Sequence, residues 1–174
     1  MEPASGTIVE SGLYLGVDPG LNRTGYAVLA RCGKTLELRE GGIIRSTQKL
    51  SLAERVQEIG TGLREVLDEF NPQAMGIEQV FSLKGNPKTA LLMAHARGAI
   101  LFMAADRQIP VVHYTPNQIK RLLTGSGRAS KEQIQMAVAN ELRLSSVPEP
   151  NDVADAAAVA MCLCHGVRFN NLNV

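Results

Sequence analysis

The chain has 174 residues, 45% of them apolar and 20% charged, with a formal net charge of +1. That size and balance fit one globular domain with a real core. No apolar run approaches the roughly 20 residues a membrane-spanning helix requires. The three cysteines lack a disulfide framework's spacing, and the start, MEPASGTIVESG, lacks a signal-peptide pattern. Reduced thiols and a cytoplasmic location are therefore expected.

In chain order, residues 1–12 read as a flexible polar lead, and 13–174 as a single domain. Leu13, Leu15 and Val17 alternate with Tyr14, Gly16 and Asp18, which predicts a strand over 13–18. Pro19-Gly20 turns the chain, and further strands are expected at 24–31 and 35–46. Leu52, Val56, Ile59, Leu63, Val66, Leu67 and Phe70 have helical spacing, which predicts a helix over 50–70. A fourth strand follows at 74–80, then a long helix at 87–107 opened by Pro87. The stripe Ala90, Leu91, Ala94, Gly98, Leu101 and Phe102 on that helix suits core packing and a dimer interface equally. A fifth strand at 110–114 precedes helices at about 116–124, 130–143 and 151–166, with Ser130 and Gln133 forming a capping box. This order predicts an α/β fold: a five-stranded mixed sheet, its first three strands antiparallel, flanked by helices.

Charge is unevenly placed. Residues 84–131 carry +7 and the remainder −6. This is either a solvated face or a polyanion-binding block beside a carboxylate site. The carboxylates follow a pattern. Leu15-Gly16-Val17-Asp18 is echoed by Met75-Gly76-Ile77-Glu78, so parallel neighbouring strands would bring both acids to one edge. Each Gly reads as clearance beside an ion. Asp152 and Asp155 lie at i and i+3 in the first turn of the last helix, where acids also complement the helix dipole. Four gathered carboxylates call for a hard divalent cation, and one or two Mg²⁺ ions suit phosphoryl displacement. By contrast, Cys162-Leu163-Cys164-His165 lacks a second ligand pair and reads as buried thiols. His95, His113 and His165 receive no role.

Three stretches together resemble the RuvC family of bacterial Holliday junction resolvases. They are Gly16-Val17-Asp18-Pro19-Gly20 with Thr24-Gly25-Tyr26, then Ile77-Glu78-Gln79-Val80-Phe81, then Asp152-x-x-Asp155-Ala156. The resemblance implies a ribonuclease H-like fold, a homodimer, Mg²⁺ or Mn²⁺ dependence, and paired symmetric nicks in four-way junction DNA. It implies that Asp18, Glu78, Asp152 and Asp155 are the metal-binding catalytic acids. It also implies that Phe81 engages bases, that Lys120 and Lys131 lie near the DNA, and that the RuvAB branch-migration complex is a partner. Lys84, Lys88, Arg97, Arg121 and Arg128 are DNA-binding candidates from charge alone. The opening strand is shared with YqgF-like RNA-processing nucleases and resembles the first phosphate loop of actin-like ATPases. A non-catalytic junction binder is a further alternative, though it would gain nothing from four acids beside phosphate.

Overall fold

The computed structural model describes residues 11–79 and 87–166. Its first strand, β1 (Ser11–Asp18), turns through Pro19-Gly20 into β2 (Arg23–Cys32), and β3 (Thr35–Arg45) pairs antiparallel beyond it. Helix α1 (Leu52–Phe70) crosses to β4 (Ala74–Glu78), which lies parallel to β1 with Gly16 opposite Gly76. Helix α2 (Pro87–Asp106) leads to β5 (Val111–Tyr114), parallel to β4. Then come α3 (Pro116–Thr124), α4 (Lys131–Glu141) and α5 (Asn151–Gly166). The sheet order is β3-β2-β1-β4-β5, the mixed five-stranded sheet expected from the sequence. Among the described residues no helix is long and apolar enough to cross a membrane.

Local chemistry sets the boundaries. Ser51, Thr115 and Ser130 cap α1, α3 and α4, each in a reciprocal capping box. Strand β1 already includes Ser11 and Gly12, which the sequence reading gave to the lead; ladder bonding to β2 continues past the last apolar side chain. Residues 1–10 of that lead lie outside the described residues. Strand β4 closes at Glu78 rather than 80. Strand β5 starts at Val111, since Pro110 has no N–H, although its carbonyl accepts from Met75 at 2.8 Å. Helix α4 stops at Glu141, short of 143, and Arg143 takes a left-handed φ of 54°.

Strand alternation sorts the interior into two layers. Leu15, Val17, Val28, Met75 and Ile77 pack under α1 and α2 with Ile59, Leu63, Leu67 and Ile100. Tyr14, Ala27, Leu29 and Ala74 face α5, which is buried almost throughout from Val153 to Cys164, with α3 and α4 outside it.

Candidate active site

The register of β1 on β4 ends with Val17 opposite Ile77, so Asp18 and Glu78 follow at adjoining strand ends. Both side chains fall on the α5 side by alternation. Helix α5 reaches them because three adjacent strands present glycine to it. A Cβ on Gly16 would sit 2.1 Å from the Ala156 carbonyl oxygen and 2.5 Å from the Ala160 nitrogen. One on Gly76 would meet Val159 Cγ1 at 2.9 Å. One on Gly25, which pairs with Asp18 across β1–β2, would lie 2.1 Å from the Asp152 carbonyl oxygen. The reading of Gly16 and Gly76 as clearance for an ion is therefore corrected. They clear the backbone and side chains of α5, and that close seating sets the first turn of α5 beside the strand-end acids.

The four acids share one electrostatic environment. Burial first, then the charges of Glu78, Asp155 and Asp152, push the Asp18 carboxyl up to about 7, against an opposing pull from Lys131. Burial and Asp155 likewise raise Glu78, with Lys131 and Lys120 pulling the other way. Two cations face the outer pair: Lys131 Nζ lies 2.8 Å from Asp155 Oδ2, and Arg23 Nη2 lies 3.3 Å from Asp152 Oδ2. Among the described residues no three His, Cys, Asp or Glu side chains are grouped so as to hold a metal ion as they stand. The donor chemistry nevertheless fits a hard divalent cation. A buried carboxyl held near neutrality by its neighbours would be relieved by a positive ion among the oxygens.

Beside the acids opens a cleft of about 240 Å³ lined by Glu78, Asp155, Lys120, Lys131 and the apolar Pro116, Ile119, Ile134 and Ala158. The two lysines singled out by resemblance thus share walls with two of the acids. Lys88, Arg121 and Arg128 are exposed and are not among those walls. Phe81 and Lys84 lie outside the described residues. Arg97, on α2, is half-buried and turned toward the ends of β4 and β5. Its guanidinium bonds the Glu78 backbone carbonyl and His113. Arg23, opposite Asp152, escaped the sequence reading; its only signal was its place two residues before Gly25. Thr24 is fully buried, and its hydroxyl donates to the Gly20 carbonyl at 2.8 Å, closing the turn behind Asp18. Cys162 and Cys164 are buried and form no disulfide, burial pushing the Cys162 thiol up to about 12, and His165 pairs with Glu141 at 2.9 Å.

A mixed sheet of this order, with carboxylates at adjoining strand ends and a helix delivering two more, defines a ribonuclease H-like nuclease. The family model described as crossover junction endodeoxyribonuclease RuvC matches residues 14–165. A RuvC from Rhodopirellula baltica is 53% identical over 148 residues, spanning 85% of this chain and 83% of that protein. One from Pelotomaculum thermopropionicum is 42% identical, over 88% of this chain and 93% of that one. The Thermus thermophilus RuvC solved with a Holliday junction substrate superposes with a TM-score of 0.84 at 32% identity, covering 90% of this chain and 95% of that one. The yeast mitochondrial resolvase Ydc2, at 15% identity and a TM-score of 0.61, shares the fold. The chain belongs to the RuvC family of crossover junction endodeoxyribonucleases.

Proposed function

We propose that Asp18, Glu78, Asp152 and Asp155 form the catalytic centre with which this chain, a Holliday junction-resolving endonuclease by family, nicks paired strands of a four-way junction. The observation that carries the assignment is the convergence of the strand ends bearing Asp18 and Glu78 with the closely seated first turn of α5 bearing Asp152 and Asp155, a crowding that also raises the Asp18 carboxyl. Such a cluster is costly without a counter-ion and gains most where a cation and a phosphate meet. The four carboxylates would hold one or two Mg²⁺ or Mn²⁺ ions, which supply charge neutralisation at the phosphate and an activated water. Water oxygen bonds to phosphorus as the bond to the 3′ oxygen breaks, leaving 5′-phosphate and 3′-hydroxyl ends.

The chain's own residues do the positioning. Lys120 and Lys131 line the cleft beside Glu78 and Asp155, where they face the phosphate backbone. In the free protein Lys131 bonds Asp155. A cation bound at the acids would free its ammonium for a phosphate. Lys88, Arg121 and Arg128 extend the basic surface, and Phe81 and Lys84 belong to the same reading.

The enzyme works as a homodimer in the bacterial cytoplasm, alongside the RuvAB branch-migration complex. On α2, Ala96, Ile100 and Ala104 are buried and Leu101 of the stripe packs against the same core, while Leu91 and Phe102 stand 63% and 64% exposed. An apolar strip left outside the core supports the dimer over the core-packing alternative.

Cleavage of a synthetic four-way junction, a linear duplex and structured RNA, each with Mg²⁺ or Mn²⁺, tests the whole. Paired symmetric nicks in the junction alone are expected. Asp155→Asn should lower the rate by about a thousandfold while the variant still binds the junction. Equal cutting of linear DNA, or cutting of RNA alone, would overturn the proposal.

A further inference from the structure

Strand β4 ends beside a proline, which leaves one backbone acceptor without a ladder partner. Met75 and Gln79 donate their N–H groups to the Pro110 and Tyr114 carbonyls, at 2.8 Å each. Backbone groups alternate sides along a strand, so the intervening Glu78 turns its N–H and C=O toward β1. With Gly16 opposite Gly76 and Val17 opposite Ile77, the parallel pattern assigns the Glu78 carbonyl to the N–H of residue 19. That residue is Pro19, which has no N–H. The donor comes instead from α2: Arg97 Nε points at the Glu78 carbonyl oxygen, 3.4 Å away. The same guanidinium donates Nη2 to His113 Nδ1 on β5. It lies partly buried at the end of the strand, whose Glu78 carboxylate lines the cleft with Asp155 and the lysines.

We propose that Arg97 is a positioning residue for Glu78. Standing in for the N–H that Pro19 cannot supply, it fixes the end of β4 and the direction in which the Glu78 carboxylate enters the acid cluster. This rests on the reading of Glu78 as one of the catalytic acids. Arg suits the task where Lys does not, because one rigid planar fork meets two acceptors at set directions.

The test compares Arg97→Ala, Arg97→Lys and Pro19→Ala/Arg97→Ala with the full-length wild type. Three quantities are read: amide hydrogen exchange in β4, single-turnover cleavage, and junction affinity with Ca²⁺ in place of the activating cation. Losing one charge-assisted bond should speed Gln79 amide exchange about tenfold and slow cleavage by a similar factor, in both single variants. Met75 exchange and the junction dissociation constant should stay within about twofold of wild type. Pro19→Ala returns a backbone N–H, so the double variant should recover most of the Gln79 protection and part of the rate. Weakened junction binding with an unchanged cleavage rate would make Arg97 a phosphate ligand and overturn the proposal. So would protection lost evenly along β4, or a double variant no better protected than Arg97→Ala. Glu78→Gln, run in parallel, separates the two readings. If it cleaves normally, the role of Glu78 fails, and this inference with it. If it is inactive while Arg97→Ala behaves as wild type, only the role of Arg97 fails.

Discussion

The two faces of the sheet are built from opposite materials. Under α1 and α2, Leu15, Val17, Met75 and Ile77 interlock with Ile59, Leu63 and Ile100, all fully buried. Under α5, Gly16 and Gly25 meet the Ala156 and Asp152 carbonyl oxygens directly, and Gly76 makes room for the Val159 side chain. Large aliphatic side chains bury the most apolar area and so stabilise most. Glycine contributes little area but lets a helix backbone rest directly on the strands. The first face holds the fold together. The second uses proximity to carry Asp152 and Asp155 up to Asp18 and Glu78.

Breaking the close face should do the most damage. Gly16→Val places branched carbon where the Ala156 carbonyl already sits, and either that helix lifts or the strand bends. Junction cleavage is expected to vanish, with unfolding in urea easier by more than about 3 kcal/mol. A variant of normal activity would show that α5 has slack. Cutting into the other face should affect stability alone. Leu63→Ala, on α1, is expected to lose about 2–5 kcal/mol in urea unfolding while cleavage per folded molecule is unchanged.

A third measurement sharpens the comparison through pH. Asp18 titrates near 7 when folded, against an ordinary value of 3.8, so the folded protein holds that proton more tightly than the unfolded chain. Stability present below about pH 4 is therefore lost as pH rises toward 7, on the order of 3 kcal/mol. In EDTA the urea midpoint should fall between pH 5 and pH 8, and Asp18→Asn should flatten the decline. Adding Mg²⁺ at pH 8 should raise the wild-type midpoint. A midpoint rising with pH would contradict the shared-charge picture. The smallest effect belongs to the cleft wall: Lys131→Ala should reduce the slope of log junction affinity on log salt by about one. An unchanged slope would remove Lys131 from the phosphate contacts.

Much of this was legible from the residues in order. The echo of Leu-Gly-Val-Asp in Met-Gly-Ile-Glu foretold parallel neighbours in register, because a strand's side chains repeat every two residues and both acids close their runs. Ser130 with Gln133 announced the start of α4 for a similarly local reason. What the glycines make room for was not legible in the sequence, since a missing side chain does not say what fills its place. Arg23 and Arg97 could not be assigned. Each meets its partner only after the strand ends are brought together, Asp152 from α5 and the Glu78 carbonyl from β4.

The sequence by itself determined the elements, their order and the four acids, because periodicity, caps and turns are properties of neighbours along the chain. Only the tertiary structure decided how those acids meet. Asp18 and Glu78 share an edge through sheet register, while Asp152 and Asp155 join them through a helix seated on three glycines. Pro19, part of the turn after β1, also withholds the N–H that the β1–β4 register would aim at the Glu78 carbonyl. Arg97, 78 residues further along the chain, reaches that carbonyl only because α2 packs beneath the same sheet.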